Sequence, residues 1–198
     1  SSLYWTSWFR WLGFTVVGLL AGLVVFFIIG ATVGETLDAE FPEFVFGMVL
    51  GTIFGAAFGV AHWLFLRRYL SGIAIWIPAT IIAFALAAAV VFGLLNSSDA
   101  ASLPLRLLHA TVVGLSLGTA QWLVLRPRLS NPAYAWVLFS IGAWIIGELA
   151  GIALQNLQLQ EPLPLMAIFL VGASLSGLGM IWLLRQASPH YSLSLIHI

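Results

Sequence analysis

The hydrophobic pattern of the chain falls into six long apolar runs, at Trp11–Val33, Phe44–Leu66, Ile73–Leu95, Leu105–Leu125, Ala135–Leu154 and Leu165–Leu184. Each is about 20 residues, which at 1.5 Å per residue crosses a hydrocarbon core of about 30 Å. Backbone groups in lipid must be paired inside their own segment, and the short alternating strands of a barrel are missing, so helices are predicted. The stretches GETLDAEFPE, RRYLSG, NSSDAASLP, RPRLSNPAY and NLQLQEPLP are rich in Pro, Asn, Ser and Gly and are predicted to be the connections. The expected fold class is an all-α integral membrane protein, with six transmembrane helices in one membrane domain over residues 1–198.

Composition agrees with that pattern. Hydrophobic residues make up 62% and charged residues 7%, against about 25% charged in soluble domains, and mean hydropathy is +1.08. Seven Arg, no Lys and seven acids leave no net charge and no basic surface, which argues against a nucleic-acid partner. The absence of cysteine excludes disulfides, thiolate metal sites and cysteine nucleophiles.

Arginine placement sets the expected orientation. Arg10, Arg67, Arg68, Arg126, Arg128 and Arg185 fall on one side of the layout and only Arg106 on the other, so the positive-inside rule places both termini in the cytoplasm. The loop acids Glu35, Asp38, Glu40, Glu43, Asp99 and Glu161 all fall opposite. Trp5, Trp8, Trp11, Trp63, Trp76, Trp122, Trp136 and Trp182 are expected to form an aromatic belt at the cytoplasmic interface, with only Trp144 deep.

The chain also repeats itself. The second, fourth and sixth runs end GAAFGVAHWLFLR, GLSLGTAQWLVLR and ASLSGLGMIWLLR, and Arg67, Arg126 and Arg185 are evenly spaced at 59 residues. Three tandem helical hairpins are expected, approximately over residues 7–68, 72–128 and 134–186, with any pseudo-symmetry axis along the membrane normal. The AHWLFLR and AQWLVLR endings, each followed by a Trp-containing helix, resemble uncharacterised bacterial multi-pass membrane proteins in which such hairpins recur. That resemblance covers the second to fifth helices best and implies a fold and a bacterial inner membrane without implying an activity. The third copy departs from it, with Ile181 where Trp63 and Trp122 stand.

Small residues recur every four positions at Gly51, Gly55 and Gly59, at Gly114 and Gly118, and at Ala173 and Gly177. GxxxG-like stripes let helices pack closely in lipid, or line a narrow pore, and here they are expected to mark the even helices as the bundle centre. Just beyond the stripes, His62, Gln121 and Met180 occupy equivalent positions near the cytoplasmic end. They could bind a small polar ligand or a soft metal, or else simply bond to neighbouring helices.

Glu148 is the one acid inside an apolar run, and His109 on the preceding helix sits at a similar depth, roughly 18–20 Å from the shared interface. A Glu148–His109 hydrogen bond is geometrically open, with Arg106 one turn outward able to join. The group could relay protons, bind a cationic solute or act as a static clamp. His62 and His109 differ in depth by roughly 18 Å, which argues against a shared haem. No HExxH motif or Walker glycine loop occurs, so no catalytic residue, cofactor or metal is assigned.

The expected function is therefore that of a structural or interaction protein of the bacterial cytoplasmic membrane, with the lipid bilayer and other membrane subunits as partners. The alternative is a small-molecule transporter or solute-binding subunit with a site near Glu148 and His109. At the chain ends, SSLYWTSWFR reads as an interfacial lead into the first helix. Residues 193–198, Leu-Ser-Leu-Ile-His-Ile, match the translation of CTG TCT CTT ATA CAC ATC, a sequencing-adapter end, and are expected to be read-through.

Overall fold

The computed structural model describes the backbone of residues 2–40, 42–94, 102–129, 131–160 and 163–186, and side chains over 4–29, 42–93, 102–129, 133–160 and 163–186. The expectations for Asp99, Glu161 and residues 193–198, and for the side chains of Glu35, Asp38 and Glu40, lie outside the described residues. The described chain is all helical. It comprises α1 (Ser2–Glu40), α2 (Glu43–Leu66), α3 (Trp76–Leu94), α4 (Leu103–Leu125), α5 (Ala135–Asn156) and α6 (Leu163–Gln186), with one 3-10 turn before α3 (Ile73–Ile75) and another before α5 (Asn131–Tyr134). Among the described residues, six helices are long and apolar enough to cross a membrane.

The expected bounds hold to within a few residues except in α1. Its 39 residues extend about 58 Å, nearly twice a hydrocarbon core. The stretch GETLDAE, expected as a loop, is helical, because Glu, Leu and Ala favour a helix and no proline interrupts it. The break comes at Pro42, whose extended backbone (φ −60, ψ 145) caps α2 and whose ring disfavours helical geometry in the residue before it. Pro42 then gives its carbonyl to the Val45 amide at 2.8 Å, starting α2.

The helices form a closed ring. Every extensive helix contact is between neighbours in sequence, and α6 closes the circle against α1. This differs from the expectation that the even helices meet at the centre. The glycine stripes turn sideways instead: a side chain at Gly51 would strike the Phe84 carbonyl, at Gly55 it would come within 2.7 Å of Ile81 Cα, and at Gly114 within 2.7 Å of Ile141 Cα. Each stripe thus seats α2 on the backbone of α3, and α4 on that of α5, where packing rather than water expulsion favours contact. Gly177 lies under the Trp11 indole, at 2.6 Å from a ring carbon to its missing Cβ.

Large apolar side chains face outward, including Phe27 (66% exposed), Leu138 (65%) and Phe9 (61%). Helices apolar on all faces suit a lipid surround, since water leaves no reason to display such residues together. This is the architecture of a multi-pass membrane protein.

At the end where the helices carry Arg67, Arg126 and Arg185, here the arginine end, the short loops are tied together. Gly72 takes the left-handed conformation (φ 63) that turns the chain from α2 into the 3-10 turn before α3. Arg128 donates to the Gly72 carbonyl at 2.7 Å and to the Val124 carbonyl at 2.6 Å, so it staples the α2–α3 loop to the end of α4.

Candidate functional site

The polar interior is built from a spacing shared by the odd-numbered helices. Trp11 and Thr15 on α1, Trp76 and Thr80 on α3, and Trp136 and Ser140 on α5 are each four residues apart, so one helical turn places indole and hydroxyl on the same face. All six face inward. Trp76 and Thr80 are fully buried, and the remaining four are at most 6% exposed. The Trp136 ring centre lies 6.2 Å from that of Trp11 and 6.3 Å from that of Trp76, so three indoles meet across the arginine end of the ring.

These three residues were expected in the aromatic belt. Burial assigns them to the core instead, while Trp5 and Trp182 are 52% and 38% exposed, as a belt requires. Phe65, Leu66, Leu125, Met180 and Leu183 pack around the three indoles and seal that end.

The even helices answer the hydroxyls. His62 Nε2 and the Thr15 hydroxyl are 2.9 Å apart, and the His62 ring stacks on Trp11 with centres 4.2 Å apart. Gln121 donates through Nε2 to Thr80 Oγ1 at 3.1 Å and accepts from Trp136 Nε1 at 3.0 Å. The matching place on α6 holds Met180, which is fully buried in the apolar cluster. Of the predicted trio, then, His62 and Gln121 face a common space and Met180 belongs to the seal.

That common space is a chamber of about 70 Å³ on the ring axis, with Trp11, His62, Thr80, Gln121, Ser140 and Ser176 contributing one wall residue from each helix. Away from the arginine end it meets a layer of four rings. Phe58, Phe84, Trp144 and Phe169 touch in a closed circuit, with successive centres 5.6, 6.0, 5.8 and 5.7 Å apart. Past this layer lies a second axial cavity of about 330 Å³, also lined from all six helices and apolar throughout. Phe84, Trp144 and Phe169 line both spaces, so one thickness of aromatic side chains separates them. Among the described residues, no Asp, Glu or Arg lines either cavity.

The predicted intramembrane polar site is arranged differently from expectation. Glu148 is engaged by Arg106, whose Nε donates to Oε1 at 2.6 Å, with a terminal nitrogen at 2.5 Å from the same oxygen. Arg106 also donates to Gln155 Oε1. Both members of the ion pair are largely buried, at 18% and 16% exposed. His109 stays apart from Glu148, and its Nε2 is buried without a hydrogen-bond partner among the described residues. Arg106 takes the carboxylate because a guanidinium brings a permanent charge and several donors in a fork that fits it, where an imidazole ring edge brings a single donor. The group joins α4 to α5 as an ion-paired clamp.

Among the described residues, no three His, Asp or Glu side chains gather as metal ligands. The repeated Trp-x-x-x-Ser/Thr spacing was the sequence signal for the chamber. It was hidden because Trp11, Trp76 and Trp136 are separated by 65 and then 60 residues, which departs from the even interval of the arginines. No protein-family profile, curated protein or solved structure matches the chain.

Proposed function

We propose that the chain is a structural or interaction protein of a bacterial cytoplasmic membrane, built as three tandem hairpins with both ends in the cytoplasm. The observation that carries this reading is the closure of the helix contacts: the glycine faces of α2 and α4 rest directly on the backbones of α3 and α5. Interfaces so close fix the relative positions of helices, which suits a protein that holds or presents a membrane surface.

The Arg106–Glu148 pair supports the same role. The guanidinium of Arg106 neutralises the Glu148 carboxylate and ties α4 to α5. The matched placement of Trp-x-x-x-Thr/Ser on α1, α3 and α5, and of His62 and Gln121 on α2 and α4, supports descent from one hairpin unit. The bacterial assignment rests on the resemblance of the AHWLFLR and AQWLVLR endings.

The test is complementation. In a strain lacking the gene, Glu148→Gln should restore the phenotype in proportion to the amount of folded protein that accumulates, measured by quantitative blotting of membranes. Failure to rescue at wild-type abundance would give the carboxylate a chemical role and overturn the structural reading.

A further inference from the structure

The axial chamber has a property that helix packing does not explain. Of its three buried hydroxyl residues on the odd helices, Thr15 meets His62 and Thr80 meets Gln121, but Ser140 has no hydrogen-bond partner among the described residues. Ser140 is 5% exposed and lines the chamber. A buried hydroxyl leaves its hydrogen-bonding capacity unused only at a free-energy cost, and membrane interiors offer no bulk water to relieve it.

We infer that the axial chamber is a binding site for one small uncharged molecule with a hydroxyl-like head and a short apolar body. The head bonds Ser140 Oγ, which can both donate and accept. The body lies against the rings of Trp136, Trp144 and Phe169. Size follows from volume: since a cavity of about 150 Å³ accommodates benzene, one of about 70 Å³ holds about three non-hydrogen atoms.

The exclusion of charge follows from the walls. The arginine end is sealed by the three indoles and their apolar packing, and on its other side the chamber meets the aromatic layer and the apolar far cavity. A charged molecule would have to leave water for a space that no Asp, Glu or Arg among the described residues lines. A small neutral molecule loses much less.

The site is tested with ethanol and ethylammonium, which share a size and differ in charge, on the full chain in lipid nanodiscs carrying 5-fluorotryptophan. Fluorine NMR reads each indole, and Trp136→Phe identifies the Trp136 signal. Ethanol should shift the Trp136 signal saturably while leaving that of exposed Trp182 on a linear drift, and ethylammonium should give no saturable shift. Because the Ser140 hydroxyl has no partner among the described residues, Ser140→Ala should keep the wild-type Tm and weaken ethanol binding about fivefold, as one hydrogen bond warrants. Ser140→Thr, which retains the hydroxyl, should bind more tightly than Ser140→Ala. A linear response to ethanol, equal binding by Ser140→Ala at unchanged Tm, or saturable binding of ethylammonium would each overturn the inference.

Discussion

Trp76 and Trp136 begin consecutive odd helices in the same way, yet their indole nitrogens fare differently. Trp136 donates to Gln121, whereas Trp76 Nε1 is buried without a partner among the described residues. Replacing either by Phe removes similar ring volume, so the comparison isolates the hydrogen bond. Trp136→Phe strands the Gln121 carbonyl in the core, while Trp76→Phe removes a donor that had nothing to bond. Trp136→Phe should therefore destabilise the protein by about 1–2 kcal/mol more than Trp76→Phe, measured by reversible unfolding in mixed micelles. Equal losses would show that the Gln121 bond contributes nothing net. The arginines follow a similar local logic: Arg67 and Arg126 lie over Trp63 and Trp122 at 4.9 and 5.6 Å, but α6 has Ile181 at that place, and Arg185 turns to Tyr4 of α1. One substitution thus redirects a cation to the helix that closes the ring.

At the scale of helices, the glycines separate into those that define a contact and those that do not. A Cβ at Gly51 would run into the backbone of Phe84 and Ala85, which has no rotamer to yield, whereas at Gly13 and Gly142 it would meet nothing within 4 Å. Gly51→Ala should cost about 2–4 kcal/mol by forcing α2 off α3. Gly13→Ala should be neutral or stabilising by up to about 1 kcal/mol, since alanine is the better helix former. Thermal melts of the two variants in one detergent decide it, and a larger loss at Gly13 would overturn the packing account. Helix existence was legible in the sequence because crossing a bilayer demands long apolar runs, and the ends at Arg67 and Arg126 were fixed to within a residue. The end of α1 was not, because GETLDAE is polar and helix-forming at once, and polarity alone does not distinguish a loop from a helix that extends beyond the bilayer. Nor could spacing disclose which neighbour each glycine stripe faces. The stripe on α2 reads the same whether it meets α3 or α4, and only the closed ring selects α3. The polar site was half legible: Glu148 and Arg106 stood out as ions in apolar surroundings, but periodicity could not tell that Arg106 would outcompete His109.

For the whole molecule, the outward display of Phe9, Phe27 and Leu138 means that the ring has lipid as its surround, and the remaining question is which way it faces. Glycine contacts run antiparallel between α1 and α2, α2 and α3, α4 and α5, and α5 and α6, so the helices alternate direction, with the ends of α2, α4 and α6 on one side and the start of α4 on the other. Arg67, Arg126 and Arg185 stand at the first of these, with exposed side chains over aromatic rings or beside them, and Ser102 caps α4 at the second. Because translocating arginine across the bilayer is disfavoured, the proposed orientation puts the three arginines in the cytoplasm. The chain contains no cysteine, so single substitutions report without background. With a membrane-impermeant maleimide, Arg67→Cys, Arg126→Cys and Arg185→Cys should react in inside-out vesicles and stay unlabelled in intact spheroplasts. Ser102→Cys should do the reverse. Reversal of all four would keep the ring and turn it over, whereas labelling of positions 67 and 126 from opposite faces would mean that α3 and α4 do not both cross, and the six-span architecture would fail with them.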